Sequence, residues 1–223
     1  DIPDPNEDFE AQTSFVYYGN GKAEMGRYAT QNRVSIPLAE VPQHVQDAVI
    51  AAENRSFWDD RGIDPKGILR AAFSNATSES TQGASTITQQ YARHAAELSG
   101  INYARKVREA VLASKLEQEL DKDTILSYYL NAIYFGRGAH GIEAAAQTYF
   151  GKSVTVPPGE KNAITPAEAA VLASVIKQPE PDAITGHKGY DPQTNLPEAQ
   201  IRWEYTMNNM AEMGWITAEE RAA

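Results

Sequence analysis

From Pro42 to Met213 the chain reads as one helical pattern after another, each closed by a glycine, a proline or a polar cap. That succession confines it to a mostly α fold. Val45, Val49 and Ala52 share one helical face, with Pro42 in the first turn. Asp64-Pro65 opens a second helix whose Ile68, Leu69, Ala72 and Phe73 pack inward. Further helices are predicted over about 86–97, 103–120, 122–134, 142–150, 165–176 and 197–213. Thr165-Pro166-Ala167-Glu168 has the form of an N-cap, a proline at the first helical position and a glutamate at the third. Gly214 suits the C-cap of the last helix. The one β signal is residues 14–36, where aromatic and β-branched residues flank Gly19-Asn20-Gly21, a short hairpin. Residues 74–84 are small and polar and read as a mobile loop; 177–197 form a long Pro/Gly-rich loop. Residues 1–13 are an acidic, Pro-bearing, flexible N-terminal segment. So abrupt a start reads as that of a fragment excised from something longer.

A chain of 223 residues, 42% hydrophobic and 22% charged, has room for one globular domain over 14–223 with a real core. With no cysteine, disulfide scaffolds, zinc–thiolate sites and thiol catalysis are excluded. A net charge of −10 argues against nucleic acid as a partner, since phosphate backbones select basic surfaces. No apolar run is long enough to span a bilayer, and no signal peptide stands at Asp1.

Four segments carry more chemistry than packing requires. Glu53 sits among Ala51, Ala52, Phe57 and Trp58, which would desolvate it, the setting of a general base; an exposed glutamate at a helix end is the plain alternative. Ser85, Thr86, Gln89 and Gln90 crowd a loop-to-helix junction, where free N–H groups suit an anion; a simple cap is the alternative. A serine nucleophile elbow would need a second glycine and a preceding strand, and has neither. Arg105, Lys106 and Glu109 share one helical face at i,i+4 and i,i+3, near Arg93 and His94. That face is either a solvated ion-pair surface or a phosphate clamp with a carboxylate able to help hold a divalent metal. Finally, Tyr128 to Lys152 sets glycines among aromatics, which packing largely explains.

Other signals carry little. Ser174-Val175-Ile176-Lys177 has the Ser-x-x-Lys form of penicillin-interacting enzymes, but lies in an apolar helix with no Lys-Thr-Gly or Ser-x-Asn partner. The four histidines show no metal spacing, and there is no phosphate loop or dinucleotide fingerprint.

In order, these segments resemble the peptidoglycan glycosyltransferase domain (family 51) of class A penicillin-binding proteins and monofunctional transglycosylases, from about Phe15 to Thr217. Ala52-Glu53 to Phe57 matches the first motif, Gly83 to Gln90 the second, and Arg105-Lys106 to Glu117 the third. Lys122 to Lys152, through Asn131, Tyr134 and Gly141, matches the fourth, and Thr165 to Pro179 the fifth. Two positions depart: the family usually has Glu-Asp where this chain has Glu53-Asn54, and a histidine where it has Asp60.

The resemblance implies a lysozyme-like, mostly helical fold with a head and a membrane-facing jaw. It implies polymerisation of lipid II into β-1,4-linked glycan strands by inverting transfer from a lipid-linked strand, releasing undecaprenyl pyrophosphate. Carried over residue by residue, Glu53 is the general base and Glu109 the second essential carboxylate. Arg93, Arg105 and Lys106 neutralise the donor pyrophosphate, and Ser85, Thr86, Gln89 and Gln90 line that pocket. Asn54, Phe57, Asn131 and Tyr134 support the site. A divalent cation, Mg²⁺ or Mn²⁺, bridges the phosphates, with Glu109 a weak candidate ligand. Moenomycin is the expected inhibitor, ordering the loop 74–84 as it binds. The expected location is the extracytoplasmic face of the bacterial cell membrane, with an anchor outside this chain; whether a transpeptidase domain follows is left open by the sequence. Two rivals stand: a lysozyme-like glycan hydrolase or lytic transglycosylase, which needs no cation cluster, and a non-catalytic module binding glycan or a partner protein.

Overall fold

The computed structural model describes residues 13–17, 24–29, 32–63, 85–96, 98 and 103–222. The helix expected to open at Asp64, the loop 74–84 and all of the N-terminal segment except Thr13 lie outside these. Strands β1 (Thr13–Tyr17) and β2 (Glu24–Ala29) pair antiparallel, with Thr13 opposite Ala29. These are the strands of the expected hairpin; its Gly19-Asn20-Gly21 turn lies outside the described residues. A second pairing has no signature in the sequence. β3 (Asn32–Arg33) runs parallel to β4 (Ala139–His140), two residues each, too short to show any alternation.

Seven of the described helices follow the sequence pattern closely or continue it. They are α1 (Gln43–Glu53), α2 (Ile87–Ala95), α3 (Tyr103–Glu119), α4 (Lys122–Ala132), α5 (Ile142–Phe150), α6 (Pro166–Val175) and α7 (Leu196–Glu212). A short α8 (Ala218–Ala222) closes the chain. The caps explain the boundaries. Thr165 accepts from the Glu168 backbone N–H while the Glu168 carboxylate accepts from the Thr165 N–H, and Pro166 occupies the first turn of α6. Asp121 caps α4 by accepting from Thr124 N at 2.7 Å. Pro42 stands at the N-cap of α1, just before its first turn. Gly214, at φ 72°, follows α7 in the left-handed conformation that ends helices.

Two packed groups of helices position the site. α1, α6 and α7 lie against one another, and α2 lies against α3 and α4. α1 and α6 meet through small side chains, Ala48, Ala51 and Ala52 on one and Ala169, Ala170 and Ala173 on the other, all buried. Alanine faces let helix axes approach closely. α6 has no polar stripe over most of its length, because α1 and α7 cover it on both sides. Ser174 Oγ is spent inside this packing, donating to Ala170 O at 2.6 Å and meeting Thr206 Oγ1 at 2.9 Å, so the Ser-x-x-Lys serine is structural.

Candidate active site

Glu53 is the last residue of α1, and Asn54 leaves the helix at φ −158°. The buried α1 therefore delivers a carboxylate to its own end, at the junction of the two helix groups. Both oxygens have partners. Oε2 accepts from Gln90 Nε2 of α2 at 2.8 Å, and Oε1 accepts from Arg202 Nη2 of α7 at 2.9 Å. Behind Gln90, Tyr129 of α4 donates to its Oε1 at 2.8 Å, so three helices hold the glutamate in one orientation. Burial and the Glu53 charge push the Tyr129 hydroxyl well up, keeping it a donor. A carboxylate has about four acceptor positions, and two are filled, so Glu53 keeps capacity for a further donor.

Arg202 is 1% exposed and also donates through Nη2 to Ala52 O at 2.7 Å. An arginine buried this deeply holds its place only with a counter-charge. Its one sequence signal is the spacing of Ala199, Arg202, Thr206 and Met210, which puts a cation on the buried face of α7. Lys177, the lysine of the Ser-x-x-Lys match, also lines the cleft beside Glu53. Burial and the nearby Arg202 charge push it down to about 8, with Glu53 opposing.

The second carboxylate, Glu109 on α3, is 1% exposed. Arg105 pairs with its Oε1, Lys106 Nζ lies 2.8 Å from its Oε2, and Arg93 Nε of α2 lies 4.0 Å from Oε1. Three cations thus surround one anion, leaving a net positive surface. Lys106 and Arg93 are about half exposed, at 48% and 56%, so they face solvent while Glu109 anchors them. Lys106 Nζ also donates to Ser85 Oγ at 2.8 Å, joining the loop before α2 to α3.

A cleft of about 460 Å³ brings together Glu53, Ser85, Gln90, Arg93 and Tyr134 of the residues named from sequence, with Lys177 added. Thr86 and Gln89 are placed otherwise. They form the capping box of α2: Thr86 Oγ1 accepts from Gln89 N at 3.1 Å and Gln89 Oε1 accepts from Thr86 N at 3.0 Å. Thr86 Oγ1 also donates to Gly62 O at 2.8 Å. Both are buried and neither lines the cleft, because the cap consumes their polar atoms. Gly62, at φ 82°, is needed here, since a Cβ would stand 2.9 Å from Ala113 O.

The supporting residues act through packing. Asn131 clamps the segment before α1, accepting from Ile36 N and donating to Ile36 O, both at 2.9 Å. Phe57 is fully buried, edge-on to Trp58, with Lys122 Nζ 4.5 Å from its ring centre. Asn54 accepts from Ile87 N at 3.0 Å, tying the end of α1 to the start of α2. Tyr134 donates to Glu180 Oε1 at 2.6 Å, fixing one edge of the cleft to the loop 177–197.

Both oxygens of Glu109, the weak candidate metal ligand, accept from cations, and among the described residues no three potential ligands gather in one place.

The family profile described as Transglycosylase matches residues 20–211. The chain belongs to the Transglycosylase family. Membership carries the activity class implied by the five motifs, that of a peptidoglycan glycosyltransferase domain. The chain is 42% identical over 92% of its length to penicillin-binding protein 1A of Neisseria flavescens, and 37% identical over 100% of its length to that of Mycobacterium tuberculosis. It covers 24% and 26% of those two proteins, so it spans about a quarter of the length of its curated relatives. A crystal structure of penicillin-binding protein 1A from Haemophilus influenzae aligns with 95% of this chain and 20% of that one, at 24% identity and a TM-score of 0.48.

Proposed function

We propose that this domain polymerises lipid II into β-1,4-linked glycan strands by inverting transfer, with Glu53 as general base. The supporting observation is that Glu53 and Arg93 line one cleft, the carboxylate pinned from behind, while half-exposed Arg93 and Lys106 gather with buried Arg105 around Glu109. Glu53 takes the proton of the acceptor's 4-hydroxyl as that oxygen attacks the donor's anomeric carbon. The bond to pyrophosphate breaks on the opposite side, giving inversion in one displacement. Pyrophosphate leaves as an anion, so charge stabilisation matters more than an acid, and the cluster provides it. Arginine at position 93 adds planar fork geometry to the charge. A hydrolase would not need this cluster, which sets the first rival aside.

The domain works at a membrane surface in this reading, because its donor and acceptor are lipid-linked. Val107 and Val111, one turn apart on α3, are 63% and 54% exposed, an apolar edge beside the cation cluster. Among the described residues no helix is long and apolar enough to cross a membrane. We place the domain on the extracytoplasmic face, with moenomycin as a competitor for the cation cluster. Any Mg²⁺ or Mn²⁺ belongs with the substrate's phosphates rather than on Glu109.

The test is polymerisation of lipid II followed by gel, for wild type with and without moenomycin and for Glu53→Gln. Ladders from wild type alone support the reading; a Glu53→Gln protein that polymerises as well as wild type would falsify it. Unfolding of Glu53→Gln is measured in parallel, because the change takes away the counter-charge of buried Arg202.

A further inference from the structure

Gln90 stands between the proposed base and a tyrosine that lies outside the cleft. Its amide has two ends of nearly equal shape, and each end has a partner. Glu53 is acceptor-only as a carboxylate, so its Oε2 takes the nitrogen end, Nε2–H at 2.8 Å. That turns the amide oxygen to Tyr129, whose hydroxyl donates to Oε1 at 2.8 Å. Gln90 lines the cleft with Glu53. Tyr129 of α4 is fully buried and does not.

The direction of this chain matters once the base does its work. A carboxylate only accepts, but a glutamate that has taken a proton also donates. Protonated Glu53 could therefore bond either end of a free amide. Tyr129 removes that choice. If the amide turned over, Nε2 would face the tyrosine, and the phenol proton would lose its acceptor in a fully buried place. Nor does the phenol shed that proton, since burial and the Glu53 charge push it well up, with Arg202 opposing. Arg202 Nη2 serves the other Glu53 oxygen at 2.9 Å. Both oxygens thus keep facing donors, and the base returns to one pose before each addition.

We propose that Tyr129 is a positioning residue for the transfer: its hydroxyl fixes which end of the Gln90 amide meets Glu53 and holds that end there through the proton transfer. The inference rests on the glycosyltransferase reading, in which Glu53 is the base. Tyr129 acts through Gln90 and not on the acceptor, so its loss shows in turnover rather than in acceptor binding. Where there is no amide to orient, the hydroxyl has nothing to do.

The experiment measures kcat and acceptor KM for elongation of a lipid-linked strand by wild type, Tyr129→Phe, Gln90→Met and the double variant. Urea unfolding shows that each is folded under the assay conditions. Tyr129→Phe removes one oxygen and keeps the buried ring. It is expected to lower kcat about tenfold, the effect of one hydrogen bond, with KM within about twofold of wild type. Gln90→Met keeps the length of the side chain without either polar end and is expected to lower kcat at least as far. On that background, loss of the hydroxyl is expected to change kcat by less than about twofold. A tyrosine that only supports the fold would cost the same activity on both backgrounds, and that result overturns the proposal. So does a Tyr129→Phe protein with wild-type kcat, or one in which KM alone rises. A wild type that elongates nothing fails differently: it overturns the glycosyltransferase reading, and this one with it.

Discussion

Asn54 donates through Nδ2 to Asp60 Oδ2 at 2.9 Å, so the two positions read from the sequence as departures from the resembled motif are partners. Asn54 Oδ1 accepts from Ile87 N, while Asp60 Oδ1 accepts from Lys122 Nζ and Gly62 N, each at 3.1 Å. Lys122 in turn reaches Glu117 at 2.8 Å, and Thr88 donates to the same Glu117 oxygen at 2.5 Å. The network joins the end of α1 to the starts of α2 and α4. An aspartate at 54 with a histidine downstream can join them with donor and acceptor exchanged.

Asn54→Asp alone turns a hydrogen bond into two facing carboxylates and is expected to destabilise by about 2 kcal/mol. Asp60→His alone removes one of the two carboxylate partners of Lys122 and costs about 1–2 kcal/mol. The double variant recovers most of both losses. Urea unfolding of the four proteins gives the coupling energy, and additive losses would refute the exchange.

Arg202 does not line the cleft but bonds Glu53, which fixes how its loss should read in kinetics. Arg202→Lys keeps the charge on a thinner side chain that cannot bond both Glu53 and Ala52 O with the same geometry. It is expected to lower kcat by tenfold or more, about 1.4 kcal/mol, with acceptor KM near wild type. Arg202→Met leaves Glu53 without its cation and is expected to destabilise by about 3–5 kcal/mol. An Arg202→Lys protein with raised KM and unchanged kcat would show that Arg202 contacts substrate directly.

The helices, the α6 capping box and the two carboxylates were legible because each rests on local pattern: a 3.6-residue period, a cap, a charge among apolar residues. Arg202 and Lys177 were not, because what brings them beside Glu53 is distance closed by the fold, 149 positions between Arg202 and Glu53. Thr86 and Gln89 were legible as polar residues at a helix start. Whether such residues face a ligand or each other is decided by side-chain geometry, which spacing does not carry. β3 and β4 were illegible for a simpler reason, being a two-residue pairing set by the tertiary fold.

Lys177 makes a pH-dependent stability prediction. Its folded value of about 8 lies below the ordinary 10.5, so between those limits the unfolded chain binds more protons. Stability contributed at this site therefore rises with pH across that window, and the strain of a buried ammonium is fully present below it. Lys177→Met is expected to be more stable than wild type at pH 7 and to lose that advantage as pH climbs past 8. Chemical unfolding at pH 7 and pH 10 measures it, and an advantage that does not change with pH rules out a depressed lysine.

Arg137 holds the loop 177–197 against the core. It adopts φ 52°, unusual for a side chain of its size, and donates through Nε and Nη2 to the two Asp191 oxygens at 2.6 and 2.5 Å. Its guanidinium also lies 4.1 Å from the Tyr149 ring centre. Asp191 further accepts from Gln193 N at 2.8 Å, and these bonds, Arg137 first, hold its carboxyl below 3.8. A depressed carboxylate contributes stability above its unfolded value and loses it as pH falls through the folded one. Asp191→Asn keeps one acceptor and breaks the fork, so amide exchange across 177–197 is expected to quicken severalfold at pH 7 while α1 and α6 stay protected. Because Lys177 and Tyr190 ride on this loop, the same variant is expected to raise acceptor KM. Exchange that stays at the wild-type rate throughout the loop would mean the backbone bonds alone fix it, leaving Arg137 no part in shaping the cleft.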